Sequence, residues 1–165
     1  MTYRFTVDGR LPSLNDYVRA ERSGWQAANS MKHKYEQIVA MSAVGLRQIK
    51  KPVRIRYTFF ERDRRRDKDN VAGVAHKIVQ DALVKAGILA NDSWDYVVGF
   101  SDDFQIDKQR PRIEIELIEV DEVPDFFFEE PESIEVNNHW LVSIIKAILG
   151  TDEVRWVIDE FPDMF

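Results

Sequence analysis

Three stretches of the chain alternate apolar and polar residues with a period of two. Tyr3, Phe5 and Val7 alternate with polar neighbours; Val53, Ile55, Tyr57 and Phe59 stand opposite Arg54, Arg56 and Thr58; Ile113, Ile115 and Leu117 stand opposite Arg112, Glu114 and Glu116. Successive side chains of a strand point to opposite faces, so the pattern predicts three half-buried strands, with a fourth expected from Tyr96 to Phe100. Between the first two, Tyr35, Ile38, Val39, Ser42, Leu46 and Ile49 recur at helical spacing, which predicts a helix over Met31 to Ile49 that Pro52 bars from continuing. A second helix is expected from about Asn70 to Ala86, with Asp69 or Asn70 as its N-cap and Gly87 as its stop. The order β, α, β, α, β, β predicts an α+β fold, a small mixed β-sheet packed with two helices. There is no internal repeat.

Composition narrows the chemistry. The 165 residues are 44% hydrophobic and 12% aromatic, enough for one packed domain with a short appendage. With no cysteine there is neither a disulfide framework nor a thiolate zinc site, and three scattered histidines argue against a histidine-based one, so any metal is expected to be held by oxygen. No stretch approaches the roughly 18 apolar residues of a membrane span, and Met1-Thr2-Tyr3-Arg4-Phe5 lacks the apolar centre of a signal peptide; a soluble cytoplasmic protein is expected.

The net charge of −6 divides unevenly. Residues 1 to 120 hold 21 Lys+Arg against 17 Asp+Glu, or +4, and residues 121 to 165 hold 2 against 12, or −10. We therefore expect a mildly basic body, residues 1–120, and an acidic C-terminal extension, residues 121–165, with the boundary between Glu119 and Pro124. The extension contains Phe126-Phe127-Phe128 and a helical pattern near 138–149, where Trp140, Leu141, Ile144, Ile145 and Ile148 are apolar and Gly150 is a stop. So many large apolar residues argue for an appendage that docks on the body, a second subunit or another protein.

The densest chemistry lies in Arg64-Arg65-Arg66-Asp67-Lys68-Asp69-Asn70. Carboxylates that hold a hard divalent ion and cations that hold a phosphate backbone share this segment. If the segment is extended, Asp67 and Asp69 point to one side and can face one ion at the mouth of the following helix, and Asp92 follows that helix. Taken one at a time, each residue also has a plain structural reading. Asp67 and Asp69 serve as turn or capping acids, Asp92 as a loop acid, Lys77 with Asp81 as an ordinary i,i+4 surface pair, and the arginines as a solvated strand end. His76 reads as a partly buried or exposed side chain rather than a ligand. Gly73, inside the second helix, costs about 1 kcal/mol relative to alanine and suggests the close approach of another backbone, such as that of a partner subunit.

The ordered string is more specific than its parts. Leu11-Pro12-Ser13-Leu14-Asn15-Asp16-Tyr17, Arg65-Arg66-Asp67-Lys68-Asp69-Asn70, Lys77 to Gly87, Asn91-Asp92-Ser93-Trp94 and Asp107-Lys108-Gln109-Arg110-Pro111-Arg112 together resemble the RusA-like Holliday junction resolvases over about residues 3 to 119. That resemblance implies a small dimeric, Mg²⁺- or Mn²⁺-dependent endonuclease of phage or prophage type that cuts four-way DNA junctions. It implies Asp67, Asp69 and Asp92 as the metal site and Lys77 as the essential basic residue, one helical turn further from the D-x-D-N element than in the family's shortest members. Arg64, Arg65, Arg66, Lys68 and Asn15 are the expected DNA contacts. The alternative is a RusA-like DNA-binding or regulatory protein whose acidic tail restrains cleavage or docks a partner.

Overall fold

The computed structural model describes residues 1–121; the expected acidic extension and its helix near 138–149 lie outside the described residues. Seven elements follow one another: β1 (Thr2–Asp8), α1 (Leu14–Ser23), α2 (Trp25–Ser42), β2 (Val53–Glu61), α3 (Lys68–Lys85), β3 (Val97–Ile106) and β4 (Arg112–Glu119). The strands form one mixed sheet in the order β1-β4-β2-β3, antiparallel except for the parallel β2–β3 pair. A parallel neighbour cannot be reached by a hairpin, and α3 is the crossover that carries the chain from the end of β2 back to the start of β3. The fold is α+β, as the alternation of apolar positions predicts.

Helices cover one face of this sheet. Val53, Ile55, Tyr57 and Phe59 are fully buried, while Arg54 and Arg56 on the opposite face are exposed. From α3, Val71, Ala75, Ile78, Val79, Ala82 and Leu83 join the same core, each at most 2% exposed. Burying a side chain such as Ile, Val or Leu contributes about 1.5–3 kcal/mol, so this stripe fixes how α3 lies on the sheet. The other face is polar, and Glu116 of β4 accepts from Arg4 of β1 and Arg56 of β2 across three strands.

One helix and several boundaries differ from expectation. A helix that the sequence reading did not expect, α1, follows Pro12; none of its residues is fully buried, although Leu14, Tyr17 and Val18 recur at i, i+3 and i+4. It also has a capping box: Asp16 N–H donates to Ser13 Oγ (3.4 Å) and Ser13 N–H to Asp16 Oδ2 (2.9 Å). The next helix, α2, begins at Trp25 rather than Met31 and ends at Ser42 rather than Ile49. The chain leaves it through Gly45 at φ +98°, and Ile49 is buried from a loop, its N–H donating to Ile88 O at 2.8 Å. A core residue supplied by a loop thus continues the apolar spacing past the helix end. The fourth strand also runs beyond Phe100, to Ile106.

Candidate active site

The α3 helix starts two residues earlier than expected. Asp67 is its N-cap, with extended backbone (φ −69°, ψ 141°), and Val71 N–H closes the first turn on Asp67 O. Asp69 is therefore inside the first turn, and the extended-chain geometry expected of the Asp67-x-Asp69 pair does not apply. Both carboxylates instead sit at the positive end of the helix dipole, which favours anions there. Asn70 donates its side-chain amide to Asp67 Oδ2 at 3.2 Å, which orients that carboxylate.

Asp67 lines a cavity of about 700 Å³ at the ends of β2 and β3, shared with Arg64, Lys68 and Phe104. The C-terminal ends of parallel strands are a common place for a site in sheets with crossover helices. Arg64 is exposed, Arg65 is 90% exposed with only a loose 3.8 Å pairing to Asp63, and the Lys68 ammonium lies 5.4 Å over the Phe104 ring. Arg66 differs from its neighbours. Its side chain is 14% exposed, its Nη1 donates to Glu61 at 3.2 Å, and its Nη2 donates to Leu11 O at 2.7 Å. Its guanidinium stitches the segment before α1 to the loop before α3. Asn15 is exposed in the first turn of α1.

A second cavity, of about 390 Å³, opens among α1, α2 and α3. Asp69, Gly73 and Lys77 line it at successive turns of α3, facing Leu14 and Tyr17 of α1 and Lys32 of α2. The Lys77 ammonium donates to Asp92 Oδ2 at 3.0 Å and to Asp81 Oδ1 at 2.7 Å, and these two carboxylates raise the lysine pKa above its ordinary value. Asp81 also accepts from Lys32 Nζ at 2.7 Å; burial opposes its ionisation, but the two lysines prevail and its pKa is lowered. Asp92 is held in the loop after α3, where its N–H donates to Asn91 Oδ1, and Ser93 O accepts from both Tyr96 and Val97 N–H at 2.9 Å. This turn leaves Trp94 83% exposed beside it.

Of the four expected catalytic residues, Asp69 and Lys77 line one cavity without touching, and Lys77 reaches Asp92. Asp67 lies one residue before the helix and lines the other cavity. All three aspartates offer hard oxygen donors, the chemistry that Mg²⁺ or Mn²⁺ prefers. Among the described residues, no three Asp, Glu or His side chains come together as a group that could hold an ion. Magnesium takes few protein carboxylates and completes its shell with water and substrate phosphate, so the donor chemistry fits without a preformed cage.

Two residues that the linear reading left aside have defined places. His76 is packed between the rings of Tyr57 (4.5 Å) and Phe100 (4.3 Å), with Nε2 at 2.7 Å from Asp102 Oδ1. Among the described residues Gly73 meets no close backbone: a Cβ at this position would have nothing within 4 Å, so its place in α3 keeps the wall of the cleft bare. Sequence reading missed Lys32, which lies far from α3 along the chain and only folding brings to Asp81.

Oxygen donors and ammonium groups around one cavity suit phosphodiester chemistry, and the class defined by this fold is an α+β protein with an acidic and basic cleft. The sequence specifies it further. Residues 12–118, well over half of the chain, match the family described as endodeoxyribonuclease RusA, and the protein belongs to that family. In general terms the family resolves four-way DNA junctions, and RusA-type resolvases are generally dependent on a divalent metal. No curated protein sequence matches the chain.

Proposed function

We propose that this protein is a Mg²⁺- or Mn²⁺-dependent endodeoxyribonuclease that cuts four-way junctions as a homodimer, using Asp67, Asp69, Asp92 and Lys77. The observation that carries this reading is the cleft shared by Asp69 and Lys77, with the Lys77 ammonium 3.0 Å from Asp92. Asp67, Asp69 and Asp92 would hold the metal, which when bound neutralises phosphate charge and lowers the pKa of a water. Lys77, kept protonated by Asp81 and Asp92, offers an ammonium to charge that develops on the phosphodiester. The exposed Arg64, Arg65 and Lys68, with Asn15 on α1, contact the backbone of the DNA arms and set register without reading sequence. A two-fold dimer matches the two-fold relation between the strands of a junction, so that one site serves each cut.

Incubating the purified protein with a labelled four-way junction and with a linear duplex of the same sequence tests this reading. Paired cuts near the branch point, dependent on Mg²⁺ or Mn²⁺ and absent from the duplex, are the expected result. Equal cutting of both substrates, or cutting that persists in excess chelator, would overturn it.

A further inference from the structure

Asp81 binds two ammonium groups with its two oxygens. Oδ1 accepts from Lys77, four residues earlier on α3, and Oδ2 from Lys32 on α2, both at 2.7 Å. The Asp81 side chain is only 14% exposed, whereas Lys77 is 61% and Lys32 is 28% exposed, so the carboxylate is the fixed partner and the lysines open outward. They open on the same cleft, which Asp69 also lines.

The other carboxylate near Lys32 has a cation of its own. Glu36, a 3.7 Å neighbour of Lys32, has its own cation in Lys85 Nζ at 2.6 Å. Lys77 also meets Asp92 at 3.0 Å, and Lys32 and Lys77 share the carboxylate of Asp81 while both line the cavity. An exposed i,i+4 pair by itself is a bland feature. A third charge brought in from another helix, at the rim of a cavity walled by Leu14 and Tyr17, is a different arrangement. It presents two point charges for an anion beside an apolar surface.

We propose that Lys32 is a substrate-binding residue: with Lys77, across Asp81, it forms a two-ammonium seat for a backbone phosphate of the strand in the α1–α2–α3 cleft. Leu14 and Tyr17 take the adjoining sugar or base, and Asp81 is the positioning residue that sets the spacing of the two lysines. This inference rests on the proposed junction-cutting function and adds a contact from α2 to it.

The test compares full-chain Lys32→Gln and Lys32→Arg with the wild type. Glutamine keeps an amide that can donate to Asp81 but removes the charge, and arginine keeps the charge. Junction binding is measured across a salt series without metal, and cleavage is measured against junction concentration with Mg²⁺. Lys32→Gln should raise the half-saturating junction concentration about tenfold, the loss of one charge-assisted contact. It should also flatten the slope of log affinity against log salt by about 0.9, one phosphate contact fewer. Lys32→Arg should recover most of both. A Lys32→Gln protein with wild-type half-saturation and salt slope would overturn the proposal, and so would equal impairment of both variants, which marks a structural role. If the wild type itself neither binds nor cuts the junction, the proposed function falls and Lys32 with it; an active wild type with an indifferent Lys32→Gln sinks the Lys32 seat alone.

Discussion

Replacing Arg66 by alanine separates architecture from DNA contact within a run of three arginines. The deletion removes the Nη2 bond to Leu11 O at 2.7 Å and the Nη1 contacts to Glu61 at 3.2 and 3.4 Å. A charge-assisted hydrogen bond contributes about 1.5–3 kcal/mol. Breaking a fully buried ion pair costs about 3–5 kcal/mol, but Arg66 keeps some solvent and Glu61 retains Arg10 at 3.4 Å, so that part is smaller. Together we expect a loss of about 2–4 kcal/mol, which for a body of this size lowers the melting temperature by about 10 °C. Thermal and urea unfolding followed by circular dichroism give the value. Arg65→Ala, at a side chain 90% exposed, should melt like the wild type but flatten the salt dependence of DNA binding by about one phosphate contact. An Arg66→Ala protein as stable as the wild type, with the greater loss of DNA affinity, would refute the reasoning and make Arg66 a phosphate clamp.

The α1 cap predicts a pH signature. The Ser13 hydroxyl and then its backbone N–H hold the Asp16 carboxyl below its ordinary pKa, so its contribution is fully present above the unfolded value, about pH 4, and is lost as pH falls through the folded value. Ser13→Ala should cost about 1 kcal/mol at pH 7. The stability gap between the wild type and Asp16→Asn should close in acid; a gap independent of pH down to the acid transition would contradict the capping account. Ending the chain after Pro124 removes most of the acidic excess while keeping the Lys51–Asp121 pair (2.7 Å) and the Val120 N–H to Pro52 O bond. If that extension competes with DNA, the shortened protein should bind junctions more tightly, most visibly at low ionic strength. Unchanged affinity at every salt concentration would remove the electrostatic role.

The three strands that bury one face were legible because alternation and burial coincide in them. Ile113, Ile115 and Leu117 are each at most 2% exposed, and their neighbours are half-exposed. The rest failed where that link is broken. Residues of β3 beyond Phe100 lie on a sheet edge and are mostly exposed, so Ser101, Asp102, Asp103 and Gln105 carry no alternation. The α1 helix has no fully buried residue, and its local signs were the capping box and the short Leu14-Tyr17-Val18 stripe. In the candidate site, Lys77 and the aspartates were legible as an ordered string. Their connections were not: the Lys77–Asp92 bond depends on how the loop after α3 turns back, and the Lys32–Asp81 bond on how α2 packs against α3. Arg66 could not be told from Arg64 and Arg65 by residue type; its partner Leu11 O becomes available only when the segment before α1 folds over the β2 end.

The most direct measurement of the account is single-turnover cleavage of a four-way junction by the wild type and by Asp69→Asn, at protein concentrations where gel shift shows both fully bound. Asn keeps the shape and removes the charge of a cleft-lining oxygen donor. The account predicts junction binding equal to or tighter than the wild type, with the Mg²⁺-dependent cleavage rate reduced at least about a hundredfold, the scale of losing a preorganised transition-state contact. Cleavage within a few-fold of the wild type would contradict it and move the chemistry away from the α3 cleft.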